Sequence, residues 1–309
     1  MTGVAFAQDP PADPPAGGGV DVDASAGANA TVGTDGVAVD ANAAVSVTGV
    51  FTLANWPLSY VTRPQVIYKG GIELSPRFQL DYASGPDGMG GDTSSTITSI
   101  GIGGRYGVTD KVEILASFAP IILTGVEGIE AGDRVKGTVA AGVGLGLAQG
   151  KLDAEAKAAL AYDLGGETAA ILAGVDVRFN LGPKMWLGTP INRPGLVAFV
   201  KGFDNGMGGT ISPIFFQLPA AFAFQATPAL AFQANTNIFT VAFNDGGKLF
   251  TGGESVSFLF TDEGGGLPLD FDVIFALSNT MDVQANLDLG DVLNAGDAFS
   301  LSAGINLRL

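Results

Sequence analysis

Three consecutive runs, residues 135–147, 152–162 and 169–179, alternate residue by residue between an apolar and a more polar or smaller side chain. Strict period-two alternation is typical of extended strands with one apolar face. The runs are 11 to 13 residues long, about twice the usual strand length in soluble domains. The pattern therefore predicts long strands joined by tight turns.

The middle run has a competing interpretation, because it is rich in good helix formers. On a helix, however, Asp153, Glu155, Lys157 and Leu160 would scatter around the axis and leave no continuous apolar stripe. We interpret residues 152–162 as a strand, with a helix as the alternative.

The same alternation recurs along most of the chain and gives about 12 strands in all. The other predicted strands cover residues 72–82, 96–106, 112–123, 214–224, 230–243, 267–277, 281–289 and 299–309, and one irregular strand lies within 185–203, where Pro190 and Pro194 interrupt the pattern. Residues 255–260 fit either a strand extension or a loop hairpin.

Three features favour a membrane barrel over a soluble all-β protein, which remains the alternative. The strands are long enough to cross a bilayer at a tilt, which takes about 9–11 residues. Short turns alternate with longer loops rich in Gly and Asp. Aromatic residues collect at strand ends, as interfacial girdles require: Tyr82, Tyr106, Tyr162, Phe179, Trp186 and Phe299.

A sheet of this size in lipid has to close, because open edges leave hydrogen-bonding groups unpaired. The predicted fold class is therefore all-β, an antiparallel up-and-down transmembrane β-barrel of about 12 strands with a disordered N-terminal tail. An even strand number places both termini on the periplasmic side.

The chain divides into four predicted parts. Residues 1–7 end in Ala5-Phe6-Ala7 and fit the remnant of a signal peptide whose true start lies upstream of Met1. Residues 8–43 are an Ala/Gly/Pro/Asp tail that we expect to be disordered. Residues 44–70 are a lead-in that would lie in the periplasm, plug the lumen or add a strand. Residues 71–309 form the barrel.

Composition excludes several classes of function. There is no cysteine and no histidine, which removes disulfides, thiolate chemistry and the commonest general base. A net charge of −16 disfavours nucleic acid. We therefore expect no enzyme activity, no cofactor and no bound metal. Carboxylate pairs such as Asp270 and Asp272 fit a wet lumen better than acid–base catalysis.

Charged residues on the predicted inward face are the candidates for lining and selectivity. At the outer end they are Asp81, Asp163, Asp270 and Asp288, with Lys136 as an exception; the others are Asp272, Arg77, Arg105, Arg178 and Arg308, the last three near the inner turns. Glu73, Glu113, Asp153 and Asp282 interrupt the basic inner end. A three-residue turn 278–280 would set Leu277 opposite Met281, Asp270 opposite Asp288 and Asp272 opposite Asn286.

This distribution predicts a channel or porin-like barrel that passes small solutes or ions with weak cation selectivity. Small inward residues such as Gly142, Gly144 and Gly304 favour open space inside it. The alternative is a structural or interaction barrel whose lumen is sealed by paired charges.

Two stretches also resemble known proteins. Trp56-Pro57-Leu58-Ser59, Arg63-Pro64, Lys69-Gly70 and Ile72-Glu73-Leu74 together resemble the opening of uncharacterised porin-like outer-membrane barrels of delta-proteobacterial type. The last strand resembles the C-terminal signal of outer-membrane proteins, with Leu309 where the final aromatic stands. The resemblance implies a Gram-negative outer membrane, contact with its lipid and lipopolysaccharide, recognition by the assembly machinery through the last strand, and a periplasmic tail and C-terminus.

Overall fold

The computed structural model describes the lead-in, most of the predicted barrel and short pieces of the tail. The described residues are 21–23, 31–33, 36–38, 46–48, 51–86, 92–124, 137–164, 168–190, 197–201, 203–204, 210–211, 214–243, 254–258, 268–290, 292 and 298–309. The predicted signal remnant, residues 1–7, and the candidate Lys136 lie outside them.

Twelve antiparallel strands form one closed barrel. They are β1 (Ile72–Pro86), β2 (Asp92–Gly107), β3 (Val112–Thr124), β4 (Thr138–Ala148), β5 (Leu152–Asp163), β6 (Thr168–Gly182), β7 (Met185–Gly188 and Val197–Lys201), β8 (Ile214–Gln225), β9 (Leu230–Phe243), β10 (Leu269–Ser278), β11 (Met281–Leu289) and β12 (Ala298–Arg308). Each strand pairs with the next, and β12 pairs with β1. The predicted fold and strand number are confirmed.

Strand pairing decides two alternatives that the sequence left open, at residues 152–162 and 255–260, and it locates the irregular strand. β5 pairs along its length with both β4 and β6, so the helix interpretation of residues 152–162 is wrong. The irregular strand is β7, whose two pieces both pair with β6 and β8, so the prolines fall in the break between them. Glu254–Phe258 pairs with the end of β9 and is a strand extension.

The two ends of the barrel differ. At one end, here called the turn end, the connections are short: residues 108–111, 149–151, 183–184, 226–229 and 279–280. At the other, the loop end, connections such as 125–137 and 244–268 are longer. One turn departs from expectation, because Ser278 rather than Leu277 pairs with Met281; an irregularity at residues 276–278 absorbs the difference.

The wall has an apolar outer face and a polar inner face. On β1, Leu74 and Phe78 expose 37% and 43% of their surface, whereas Glu73 between the exposed Ile72 and Leu74 is buried. The same alternation continues around the barrel, where large apolar residues of every strand from β1 to β12 are exposed. An apolar band of this extent would be unstable in water, which identifies the outer face as the lipid face.

Several short elements are not part of the barrel wall. Asp21–Asp23 pairs with Ser46–Thr48, and Thr31–Gly33 pairs with Gly36–Ala38. A small hairpin, Phe203–Asp204 with Thr210–Ile211, lies between β7 and β8. A single turn of 3-10 helix, Tyr60–Thr62, precedes β1. No helix in the described part of the chain is long and apolar enough to cross a membrane.

Candidate functional site: the lumen and the segment that enters it

Residues 51–71, hereafter the lead-in segment, fold into the turn end of the lumen. The segment joins β1 through Gly70, which adopts φ +78°, a left-handed conformation that favours glycine. Backbone hydrogen bonds from Gly70 N to Gly107 O (2.7 Å) and from Gly107 N to Gly71 O (2.9 Å) fix this junction to the end of β2. From there the segment runs against inward side chains of the wall.

Two apolar clusters hold the lead-in segment. The first lies within the segment, where Trp56, Ile67 and Tyr68 are buried against Phe51 and Leu53. In the second, Val61 of the segment packs with Trp186 of β7 and with Ala221 and Ala223 of β8. Trp56, Val61, Ile67 and Trp186 are each at most 1% exposed. Burial of side chains this large is a substantial stabilising contribution.

The backbone of the lead-in segment is irregular, so its polar groups need partners from the wall. Gln225 of β8 accepts from Val61 N (3.2 Å), and Glu113 of β3 accepts from Ile67 N (2.9 Å). Arg105 of β2 donates to Gln65 O (2.6 Å). Side chains of several strands thus supply the hydrogen bonds that a neighbouring backbone would supply to a regular strand.

A chain of ion pairs, hereafter the latch network, joins the segment to the wall. Its members are Arg63, Asp282, Arg308, Glu73, Arg105 and Glu113. Arg63 makes a bidentate contact with Asp282, at 2.6 Å and 2.8 Å. Arg308 contacts both Asp282 and Glu73, with a 2.7 Å bond to Glu73.

The latch network continues from Glu73 to Arg105 (2.9 Å) and from Arg105 to Glu113 (3.6 Å). Three arginines therefore face three carboxylates, all of them buried except the half-buried Arg105, and buried charge is tolerated only when it is paired. Arg63 and Arg308 also lie over the rings of Tyr60 and Trp56, at 6.0 Å and 5.7 Å from the ring centroids.

Two further ion-pair groups line the turn end. Arg178 contacts Asp153 with a 3.0 Å bond from Nε, and it also donates to the backbone carbonyl of Arg63. Lys157 contacts Asp176 (2.7 Å) and Glu155 (3.2 Å).

The predicted inner-end arginines, Arg105, Arg178 and Arg308, therefore lie at the turn end and face the lumen. Each is paired with one or more of the acidic residues that interrupted the predicted basic end. The positive charge of these arginines is therefore balanced by Glu73, Glu113, Asp153 and Asp282.

An acidic row lies nearer the loop end. Asp270 of β10 faces Asp288 of β11, Asp288 faces Ser300 of β12, and Ser300 faces Asp81 of β1. Asp81 accepts hydrogen bonds from Gln79 (2.7 Å) and from Ser300. The register predicted for Asp270 and Asp288 is confirmed, and closure between β12 and β1 adds Asp81 to the row.

Asp272 is the next inward-facing residue of β10 after Asp270. It pairs with Asn286, as the sequence predicted. Its carboxylate accepts hydrogen bonds from four side-chain amides: Gln284 (2.7 Å), Asn235 (2.8 Å), Asn286 (3.0 Å) and Gln233 (3.3 Å). Four amide donors stabilise this buried carboxylate.

This amide group is connected to the lead-in segment. The Tyr60 hydroxyl donates to Gln233 Oε1 at 2.7 Å, and Gln233 donates to Asp272. Burial raises the pKa of Tyr60 above its usual range, so the hydroxyl remains a donor.

The remaining candidates lie apart from the acidic row. Asp163 ends β5 opposite Thr138 and Thr168, on another part of the wall. Arg77 of β1 donates to Gln284 at 3.0 Å, which places it beside the amide group. Among the described residues, no group of three or more acidic side chains is arranged to hold a metal ion.

Access to solvent differs between the two ends. Glu113, Glu155 and Asp282 at the turn end are 0% exposed. In the acidic row nearer the loop end, Asp81 and Asp288 are only half-buried, whereas Asp270 is 4% exposed. The small inward residues do not provide open space everywhere, because a Cβ at Gly144 would overlap Glu155 and one at Gly304 would approach Arg77 Cγ to 2.8 Å. These glycines make room for neighbouring charged side chains.

Sequence reasoning missed Arg63, Tyr60, Gln225 and Gln233. Arg63 is the first cation in the chain and stands between two prolines of the lead-in, Pro57 and Pro64, which is the only signal that could have selected it. The glutamines carry no pattern that distinguishes them from other inward polar residues. Their role follows from the position of the lead-in segment.

No protein-family model matches the chain, and no curated protein is significantly similar to it. Solved structures that match include the NanC porin, at 9% identity with 76% of this chain and 100% of that chain covered and a TM-score of 0.49. OmpT, an outer membrane protein of Vibrio cholerae, matches at 11% identity over 77% of this chain and 98% of its own, with a TM-score of 0.35.

Omp33, an outer membrane protein of Acinetobacter baumannii, matches at 12% identity over 77% of this chain and 99% of its own, with a TM-score of 0.32. At these scores, the barrel assignment rests on the strand pairing and the apolar outer face.

Proposed function

We propose that this protein is an outer-membrane, porin-like barrel that passes small solutes or ions with weak cation selectivity. The observation that carries the proposal is the acidic row, in which Asp270, Asp288 and Asp81, with Ser300 between the last two, lie on the inner wall of four adjacent strands. A polar lumen inside an apolar outer face is the arrangement of a conducting barrel.

Selectivity follows from the difference between the two ends. Within the acidic row, Asp81 and Asp288 contact solvent, so their charge concentrates cations and lowers the local concentration of anions. At the turn end the arginines are paired, so they oppose cations weakly. Salt screens charges over about 10 Å at 0.1 M, and selectivity should therefore fade as salt rises.

The proposal also gives the barrel an orientation in the outer membrane. Short turns face the periplasm in barrels of this kind, which puts the loop end and its acidic row outside. The lead-in segment, the tail and the C-terminus then lie on the periplasmic side. The outer face contacts lipid and lipopolysaccharide, and β12, which reaches Arg308, is the strand that the assembly machinery would recognise.

A structural or interaction barrel with a sealed lumen is the second candidate. The observation that favours it is the lead-in segment, whose buried Trp56 and Ile67 occupy the turn end. In that case function would lie in the long loops and the tail.

Planar-bilayer recording under a salt gradient separates the two candidates. We expect a reversal potential of cation sign that falls toward zero when Asp270 and Asp288 are both changed to Asn. Asp110→Asn is the matched control, because Asp110 is exposed in the turn after β2 at the opposite end. An anion-signed potential would contradict the role of the acidic row, and complete absence of current would favour the sealed barrel.

A further inference from the structure

We infer that the lead-in segment is a gate, and that the latch network holds it closed at the turn end of the lumen. This inference rests on the proposed function, because a gate has meaning only if the lumen conducts. It assigns regulation to residues 51–71 and names Arg63 as the residue that secures the closed position.

The closed position is defined by contacts distributed around the wall. Val61 packs against β7 and β8, Ile67 is bonded to β3, and Gln65 is bonded to β2. Arg63 contacts Asp282 of β11 through its side chain and Arg178 of β6 through its carbonyl oxygen. A segment attached to strands on opposite sides of the barrel crosses the lumen.

The attachment of the segment permits displacement. Its last two residues, Gly70 and Gly71, connect it directly to Ile72 of β1, and the chain has no cysteine to cross-link it elsewhere. Ion pairs in the latch network fix its position without adding much net stability over an apolar contact, since burying charges removes their hydration. Such contacts define a single closed position, and replacing one charged partner destabilises that position strongly.

The interface also contains polar atoms that the closed position does not satisfy. Trp56 Nε1, both side-chain polar atoms of Gln65, and Trp186 Nε1 are buried and have no hydrogen-bond partner among the described residues. Buried, unpaired polar groups oppose folding into that position.

A hydrogen-bonded path couples the gate to the selectivity region. Tyr60 of the segment donates to Gln233, which donates to Asn235 and Asp272. Asp272 lies next to the acidic row through Asn286, which contacts both Asp270 and Asp272. Displacing the segment removes the Tyr60 bond to Gln233 Oε1, whereas the bonds from Gln233 to Asn235 and Asp272 can remain.

The first experiment weakens the latch in the full-length protein. Arg63→Gln removes the bidentate contact with Asp282, and we expect the ratio of open to closed channels to rise by roughly 100- to 5,000-fold, the size that follows when a buried ion pair loses one partner. Lys69→Gln is the matched control, because it makes the same change of charge at an exposed position of the same segment. Asp282→Asn tests the other side of the contact if Arg63→Gln assembles poorly.

The second experiment fixes the segment in place. A Cβ built on Gly146 lies 3.1 Å from Val66 Cγ2, so the two positions are in contact, and we choose Val66→Cys with Gly146→Cys as the cross-linking pair. In a chain without other cysteines, the oxidised double variant should lose the open state, and a reducing agent should restore it. Each single-cysteine variant should conduct like the parent protein under both conditions.

The outcomes separate the gate from the channel. Cation-selective current that is unchanged in Arg63→Gln, or that persists in the oxidised double variant, overturns the gate and leaves the channel in place. Absence of current from Arg63→Gln, Asp282→Asn and the reduced double variant, all correctly folded by heat-modifiable migration, overturns the channel itself. Increased current with the latch broken and loss of current with the disulfide formed support the gate.

Discussion

Leu160 and Ala159 are consecutive residues of β5 that face opposite sides of the wall. Leu160 exposes 65% of its surface on the outside, whereas Ala159 pairs with Gly142 and Leu172 in an inward row. Neighbouring side chains of one strand thus meet lipid and lumen respectively.

We expect arginine to be tolerated unequally at these two positions. Leu160→Arg should impair insertion, because a charge on the lipid face costs about 2–4 kcal/mol near the bilayer midplane. Ala159→Arg should insert and change conduction instead. The fraction of protein that migrates differently in SDS gels before and after boiling measures assembly. Equal damage from both substitutions would mean that β5 is buried on both faces.

Glu73→Gln should destabilise the barrel strongly. Glu73 accepts from Arg105 at 2.9 Å and from Arg308 at 2.7 Å, so the substitution weakens two buried ion pairs at once. Removing one partner of a buried pair costs about 3–5 kcal/mol. The measurement is the denaturant midpoint of unfolding in detergent.

Asp110→Asn, in an exposed turn at the same end, is the control for Glu73→Gln and should leave the midpoint unchanged. A midpoint for Glu73→Gln equal to that of the control would show that the latch network contributes no stability.

Gly107→Ala should disturb the junction between the lead-in segment and β2. A Cβ at this position would overlap the carbonyl oxygen of Tyr68, which is backbone and cannot rotate away. Overpacking of this kind costs about 1–3 kcal/mol. Limited proteolysis of the folded protein should cut the segment faster in the variant.

Gly290→Ala is the control for Gly107→Ala, because a Cβ there meets nothing within 4 Å among the described residues. Equal cleavage rates in the two variants would show that the junction adapts without loosening the segment.

Deleting residues 8–42 should leave insertion and thermal stability nearly unchanged. These residues contain almost no bulky apolar side chains, so they have little surface to bury. The described strands of this region pair with one another or with Ser46–Thr48, and none of them pairs with the barrel. Thermal unfolding of the truncated protein in detergent checks this, and failure of assembly would give the tail an ordered role.

Much of the barrel could be predicted because its wall separates two environments. Lipid outside and polar groups inside impose alternation on every strand, and alternation is readable from sequence. The facing positions of Asp270 and Asp288 followed from the short turn between β10 and β11, because a hairpin turn fixes the register. The prediction erred only at the turn itself, where a backbone irregularity moved the Met281 partner from Leu277 to Ser278.

The position of the lead-in segment could not be predicted in this way. It has no periodic pattern, and its backbone groups are satisfied by side chains of strands that are distant in the sequence. Arg63 and Asp282 are 219 positions apart, and Tyr60 and Gln233 are 173 apart. Nothing local distinguishes these residues from other polar ones.

The sequence by itself therefore determined the strands, the face that each side chain takes and the acidic character of the loop end. Those properties depend on neighbours along one strand or across one turn. Tertiary structure alone decided which charges are paired and where the lead-in segment lies, because both depend on closure of the barrel. Closure brings β12 beside β1, so that Arg308 meets Glu73 across the seam and balances the charge at the turn end.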